Sequence, residues 1–245
     1  MLFPPLQVTI FLTLTDMKYT YLLFDADNTL FDFHSGEKIA FRQALHEFGL
    51  RENEGDYACY AEINASLWKQ LEKGEITKDE IFAKRFVLFL EKTKRNADGK
   101  ALNACYKAKL SEQAILFPHA EELLQKLKET GFRLFLITNG DKTVQNTRLM
   151  ISGLRQYFEK IFISEEIGAA KPSERFFDAV ASAIEGFHKE DALVIGDSES
   201  SDILGANRYG IDACHVMLNS PPLSPAVFAK YTVTQLLDII NLLSE

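Results

Sequence analysis

Two carboxylates, Asp25 and Asp27, close the apolar run Tyr21-Leu22-Leu23-Phe24, with Asn28 and Thr29 directly behind them. Ionised carboxylates are costly to place beside a hydrophobic segment unless something compensates their charge. Three later apolar runs end in related chemistry. Thr138, Asn139 and Gly140 stand at the end of "FRLFLIT", Lys171 lies in "GAAKPSERF" beyond "KIFIS", and Asp197 and Asp202 lie in "GDSESSD" beyond "ALVIG". Brought into one crevice, such carboxylates repel one another by about 4 kcal/mol per pair at roughly 4 Å in an effective dielectric near 20. Unless their pKa values rise, they need a cation. Oxygen donors without organised His or Cys partners favour Mg²⁺, held by one or two carboxylates and by a substrate phosphate. Lys171 would supply a second positive charge, and Thr138 with neighbouring main-chain amides would supply donors. Together the set suits a metal-bound phosphate.

The elements that must position these residues follow from the pattern around them. Five apolar runs predict strands: 21 to 24, 132 to 138, 160 to 164, 192 to 196 and 213 to 218. Amphipathic stretches alternate with them, such as "PHAEELLQKLKETG", where Leu123, Leu124 and Leu127 share a face and Gly131 can end the helix. "KTVQNTRLMISG", "SERFFDAVASAIEG" and "SDILGANRYG" continue the alternation. This order predicts an α/β fold, a Rossmann-like parallel sheet with helices on both faces. Ligands of such sheets bind beyond the carboxyl ends of the strands, where every residue named above would stand.

Between the first strand and "FRLFLIT" the alternation stops and helical spacing takes over. "EKIAFRQALHEFG" places Phe41, Ala44, Leu45 and Phe48 on one side, and "TKDEIFAKRFVLFLEKT" opens with Thr77 and Glu80 in capping-box spacing. A helical insert after the first strand, over residues 34 to 115, is the expectation, with 17 to 33 and 116 to 245 forming the α/β core. "KRNADGK" is expected to be a polar turn between helices. The joints would lie at Phe31 to Gly36 and Leu116 to Pro118.

Composition narrows the partners. The chain has 245 residues, 47% of them hydrophobic, enough for one α/β core and a smaller second layer. With 35 acidic against 27 basic residues the net charge is −8, and "KTKR" at 92 to 95 is the densest basic cluster. Neither a nucleic-acid polymer nor an anionic membrane is expected as partner. Cys59, Cys105 and Cys214 lie far apart, without metal or disulfide spacing, which suits a reducing cytoplasm. Residues 1 to 16 carry no charge before Asp16, yet lack a basic start and a small-x-small cleavage site. They are expected to be an N-terminal extension, with Met17 as an internal start. No pattern sets an oligomeric state.

Asp25-Ala26-Asp27-Asn28-Thr29, Thr138, Lys171 and Gly196-Asp197 through Asp202 resemble the ordered motifs of the haloacid dehalogenase superfamily of phosphohydrolases. The resemblance runs from about Tyr19 onward, and the helical insert sits where that superfamily carries its cap. "FDADNTLFDF" looks more narrowly like the pyrimidine 5′-nucleotidase branch, which hydrolyses nucleoside 5′-monophosphates. The resemblance implies that Asp25 is the nucleophile and forms an aspartyl-phosphate, while Asp27 acts as acid and then base. It implies that Thr138 and Asn139, with nearby N–H groups, bind phosphoryl oxygens and that Lys171 neutralises charge. Mg²⁺ would be held by Asp25, the Asp27 carbonyl and Asp197, with Asp202 binding through water or orienting the others.

Each residue also has a plainer reading. Lys171 could be a solvated loop lysine, Asp202 the N-cap of "ILGANRY", Thr138 a strand terminus, and Asp32 a helix cap. The five histidines show no ligand spacing. Trp68, Tyr57, Tyr60 and the phenylalanines of 82 to 89 could stack on a nucleobase, although aromatics at helical spacing commonly fill cores. Other functions kept open are a broad-specificity small-metabolite phosphatase, a 2-haloacid dehalogenase and a non-catalytic metal-binding regulatory module. A dehalogenase has no need of Asp27, and the regulatory module does not call for a large helical insert.

Overall fold

The computed structural model describes residues 17–243, so the expectation for residues 1 to 16 lies outside the described residues. Among the described residues six parallel strands form one sheet: β1 (Tyr21–Phe24), β2 (Arg133–Thr138), β3 (Lys160–Ile163), β4 (Ala192–Gly196), β5 (Asp212–Val216) and β6 (Tyr231–Val233). Their spatial order is β3-β2-β1-β4-β5-β6. The order reverses between β1 and β4, so the crevice for a ligand opens at the carboxyl ends of those two strands.

Helices α1 (Phe33–Glu47), α2 (Asp56–Glu72), α3 (Lys78–Lys92) and α4 (Gly99–Ser111) follow β1. Next come α5 (Ala120–Glu129), α6 (Lys142–Ile151), α7 (Ser164–Ile167), α8 (Glu174–Ser182), α9 (Leu204–Tyr209) and α10 (Asp238–Leu243). Successive strand residues point to opposite faces and both faces are covered, which is why the strands read as unbroken apolar runs. Leu22, Phe24, Leu134 and Leu136 pack with Leu123 and Leu127 of α5 on one face. Tyr21, Leu23, Phe135 and Ile137 pack with Phe176, Phe177 and Val180 of α8 on the other. Gly131, expected to end α5, has φ +99°, a conformation that favours glycine.

The four helices between β1 and α5 gather around a core of their own. Phe41, Tyr60, Phe86, Phe89 and Tyr106 are fully buried there, with Tyr60 stacked 4.9 Å from both Phe41 and Phe86. Tyr60, Phe86 and Phe89 are therefore packing residues rather than base-stacking candidates. The capping box of α3 is present: Thr77 Oγ1 accepts from Glu80 N–H while the Glu80 carboxylate accepts from Thr77 N–H. "KRNADGK" forms the expected turn, with Asp98 capping α4.

The chain enters and leaves this helical layer side by side. Asp32 N–H donates to Ile115 O and Phe117 N–H to Leu30 O, each at 2.9 Å, and Phe31 pairs antiparallel with Leu116. Asp32 caps α1, accepting from Ser35 N–H. Contacts also bridge the layers: Lys78 of α3 donates to Gly140 O and Ser164 Oγ, both at 2.9 Å. Among the described residues no helix is long and apolar enough to cross a membrane.

Candidate active site

Asp25 is the first residue past β1, and its N–H still donates to Ile195 O of β4 at 2.8 Å, so the sheet ladder fixes its position. Its carboxylate is buried, with Thr29 Oγ1 at 3.3 Å from Oδ2. Lys171 approaches from the loop beyond α7. Its Nζ donates to Asp25 Oδ1 (2.7 Å), Asp202 Oδ1 (2.6 Å) and Ile137 O (2.8 Å). All three ammonium hydrogens are thus used, and with 1% of the residue exposed the solvated-loop reading is excluded. Asn139 braces that loop: its Nδ2 donates to Lys171 O, and its Oδ1 accepts from Lys171 N–H, both at 2.9 Å. Through this brace the Asn139 side chain positions the loop that carries Lys171.

Asp197 follows β4, its Oδ2 accepting from Ser220 Oγ at 2.8 Å. Asp202 lies in a wide helical turn, Glu199–Ile203, and its Oδ2 accepts from Ser198 N–H at 3.1 Å. Ser198 caps that turn, and Ile203 with no side-chain cap stands before α9, which overturns the N-cap reading of Asp202. Gly196 lets this turn come close, since a Cβ there would overlap the Asp202 carboxylate. Carboxylate oxygens of Asp25, Asp197 and Asp202 lie within 4.8 Å of one another.

The charges in this cluster do not balance. Burial raises the Asp25 carboxyl well above its usual range; Asp202, Asp197 and Asp27 add to the rise, and Lys171 opposes it. Asp197 is pushed up to about 7, first by burial and then by the charge of Asp202. Burial works against the Lys171 ammonium, but Asp202 and Asp25 outweigh it and the group is held charged. One ammonium among three close carboxylates leaves negative charge that a hard cation would neutralise. An all-oxygen donor set of this kind fits Mg²⁺.

Asp27 faces a different environment. Its Oδ1 accepts from Arg148 Nη1 and its Oδ2 from Gln145 Nε2 at 2.7 Å. Gln145 also donates to Thr138 Oγ1 (2.9 Å), which accepts in addition from Gly140 N–H (3.0 Å). With both lone pairs of Thr138 engaged, its own O–H is left to point at a third acceptor. Arg148 is 1% exposed; its Nε donates to Gln113 O at 3.0 Å and its guanidinium lies 4.2 Å from the Phe31 ring. Sequence reasoning missed both α6 residues. The available signal was register: Gln145 and Arg148 stand four residues from Leu149 and Val144, on the buried stripe of α6.

These residues open onto a cavity of about 650 Å³. Asp25, Asp27, Thr138, Lys171, Asp197 and Asp202 contribute to its lining, and the helical layer contributes Phe33, Ala65, Trp68, Glu72, Arg85 and Leu110. Of the aromatics weighed for base stacking, Trp68 is the one in this lining. His215 is the buried histidine, its Nε2 lying 3.2 Å from Asp197 O; the other four are exposed.

A parallel sheet whose strand ends gather this acidic and cationic set matches one hydrolase class. The haloacid dehalogenase-like hydrolase family matches residues 19–210, and the chain belongs to it. It is 36% identical over 229 residues to the pyrimidine 5′-nucleotidase PynA of Streptococcus pneumoniae, covering 92% of this chain and 96% of that protein. It is 30% identical to the pyrimidine 5′-nucleotidase YjjG of Escherichia coli, covering 94% and 100% of the two chains. The magnesium-bound crystal structure of the Bacillus subtilis HAD-hydrolase YfnB superimposes with a TM-score of 0.88 at 34% identity, covering 93% of this chain and 100% of that one.

Proposed function

We propose that the protein is a Mg²⁺-dependent phosphomonoester hydrolase that acts through an aspartyl-phosphate on pyrimidine nucleoside 5′-monophosphates. The observation that carries this reading is the buried Asp25–Lys171–Asp202 contact set, placed with Asp27 on one cavity. Similarity to two pyrimidine 5′-nucleotidases supports the substrate class. Asp25 attacks phosphorus, the bond to the leaving oxygen breaks, and Asp27 donates its proton to that oxygen. Water then attacks phosphorus, Asp27 takes its proton, and the phosphorus bond to Asp25 breaks to return the free carboxylate. Thr138 donates its hydroxyl to a phosphoryl oxygen, and Lys171 offsets the charge gathered around Asp25. Asp25, the Asp27 carbonyl and Asp197 would hold Mg²⁺, with Asp202 beside them; when bound, the ion neutralises nucleophile and phosphate together. Residues 34 to 115 serve as the cap that encloses the leaving group, over a core of 17 to 33 and 116 to 245. The unbridged state of Cys59, Cys105 and Cys214 suits a cytoplasmic location.

Phosphate release from dUMP, dTMP, UMP, AMP and sugar phosphates, with Mg²⁺ and with EDTA, tests this reading. Turnover is expected with Mg²⁺, to be lost in EDTA and restored by added Mg²⁺, with pyrimidine nucleotides preferred. A preference for sugar phosphates or phosphoglycolate would sink the nucleotidase reading, and full activity in EDTA the metal requirement.

Arg148 gives a second expectation. It ties the Asp27 carboxylate to Phe31, in the first joint, and to Gln113, just before the second. Arg148→Met removes that tie without touching substrate, so kcat is expected to fall roughly 10- to 100-fold, the scale on which removing an orienting partner acts. KM should change little, and Arg148→Lys should not fully restore the rate because an ammonium cannot fork. Unchanged kcat in Arg148→Met would show that Asp27 needs no such support.

A further inference from the structure

Arg85 of α3 stands in the part of the cavity wall that the helical layer supplies, and it has an unusual set of partners for a buried cation. The residue is 3% exposed. Its Nε donates to Asn103 Oδ1 at 2.7 Å, and its Nη1 lies 3.5 Å from Asn64 Oδ1. The rings of Tyr106 and Phe82 lie 4.6 and 5.1 Å from its guanidinium carbon. Asn64 in turn donates Nδ2 to Glu37 Oε1 at 2.9 Å, so Glu37 acts on Arg85 through an amide rather than in a direct fork. Burial raises the Glu37 carboxyl even so, with Arg85 among the groups that oppose the rise.

A guanidinium carries five N–H donors, and the two bonds to Asn103 and Asn64 come from Nε and Nη1. Buried guanidinium groups commonly meet carboxylates in a planar fork. Here neutral amides make the bonds that orient the group, the Tyr60 hydroxyl and the Glu37 carboxyl act on its charge from nearby, and the residue still lines the cavity, where an entering acceptor can meet it. The helical layer also lends the same cavity Phe33, Ala65, Trp68 and Leu110, flat or apolar surfaces, beside the polar Lys69 and Glu72. A planar ring with an acceptor oxygen on its rim satisfies both features. Its faces lie against apolar and aromatic surface, and its oxygen meets Arg85.

We propose that Arg85, oriented by Asn64 and Asn103, forms a base-recognition subsite that reads the ring carbonyl of a pyrimidine nucleoside, with Trp68 as the surface the ring stacks on. This rests on the nucleotidase reading above and adds the means of selection. Uracil, thymine and cytosine all carry a carbonyl at ring position two, and adenine carries none. The subsite therefore accepts each pyrimidine and leaves AMP without a partner for the guanidinium.

The test compares kcat/KM for dUMP, AMP and ribose 5-phosphate in the native enzyme, Arg85→Met and Trp68→Leu. Arg85→Met is expected to lower the value for dUMP roughly 10- to 100-fold, the loss of one charge-assisted hydrogen bond. Ribose 5-phosphate, which has no base, should change less than about twofold. An equal loss on all three esters, or an unchanged value for dUMP, would overturn the subsite. Should Arg85→Met fail to fold, Trp68→Leu carries the same comparison, with loss confined to the esters that bear a base. Calorimetric binding of dUMP to Asp25→Asn and to Asp25→Asn with Arg85→Met separates this inference from the reaction it rests on. Tight binding in the first and weakened binding in the second supports the subsite even if the native enzyme releases no phosphate. Equal binding in both overturns it whatever the turnover.

Discussion

On the proposed mechanism, Asp25→Asn is expected to lower phosphate release by at least about 10⁴-fold while leaving the protein folded, because removing a covalent nucleophile acts on that scale. An amide oxygen carries no charge to attack phosphorus and gives a poor ligand to Mg²⁺. The substitution changes little else. Asn Oδ can still accept from Lys171 Nζ, and the main-chain bond from residue 25 to Ile195 is untouched. The Asp25 carboxyl is raised by burial and by three neighbouring acids, so removing its charge relieves repulsion. The melting temperature should therefore stay level or rise. Phosphate release and thermal unfolding on the same preparation decide the matter; activity within a hundredfold of native would place the nucleophile elsewhere.

Lys171→Met is expected to fail on both counts. It leaves Asp25 and Asp202 facing each other without the ammonium that now contacts both. Removing one partner of a buried ion pair costs about 3–5 kcal/mol. For a chain of this size each kcal/mol shifts the midpoint by roughly 2–4 °C, so a fall of about 6–20 °C is expected in metal-free buffer. Added Mg²⁺ should recover more stability in this variant than in the native protein, because the cation then meets uncompensated carboxylates. Thermal scans across a Mg²⁺ titration measure this directly. An unchanged midpoint without metal would mean that the carboxylates hold protons in place of the lysine.

The contrast between these variants bears on what a sequence can disclose. Asp25, Thr138, Lys171, Asp197 and Asp202 were legible as site candidates because each stands at or just beyond an apolar strand, and parallel strands carry their ends to a common edge. Strand β6 was not legible: three residues at a sheet edge give too little alternation to detect. Arg148 and Gln145 escaped for a different reason. Their meaning depends on Asp27, over a hundred positions away in the chain, and only packing of α6 under the joints brings them together. Arg85 likewise resembles any polar residue of an amphipathic helix until α2 and α4 supply Asn64 and Asn103.

The bridge between Phe31 and Leu116 also bears on how such a chain can diversify. Because the backbone leaves the sheet layer and rejoins it across two hydrogen bonds, the ends of the inserted segment are held together whatever lies between them. A segment of different length or helix order, if its ends meet there, disturbs neither the strand register nor the Asp25 cluster. On the proposed function, leaving-group choice and phosphorus chemistry are then separable inheritances: the helical layer can be exchanged as a cassette while the sheet keeps its reaction.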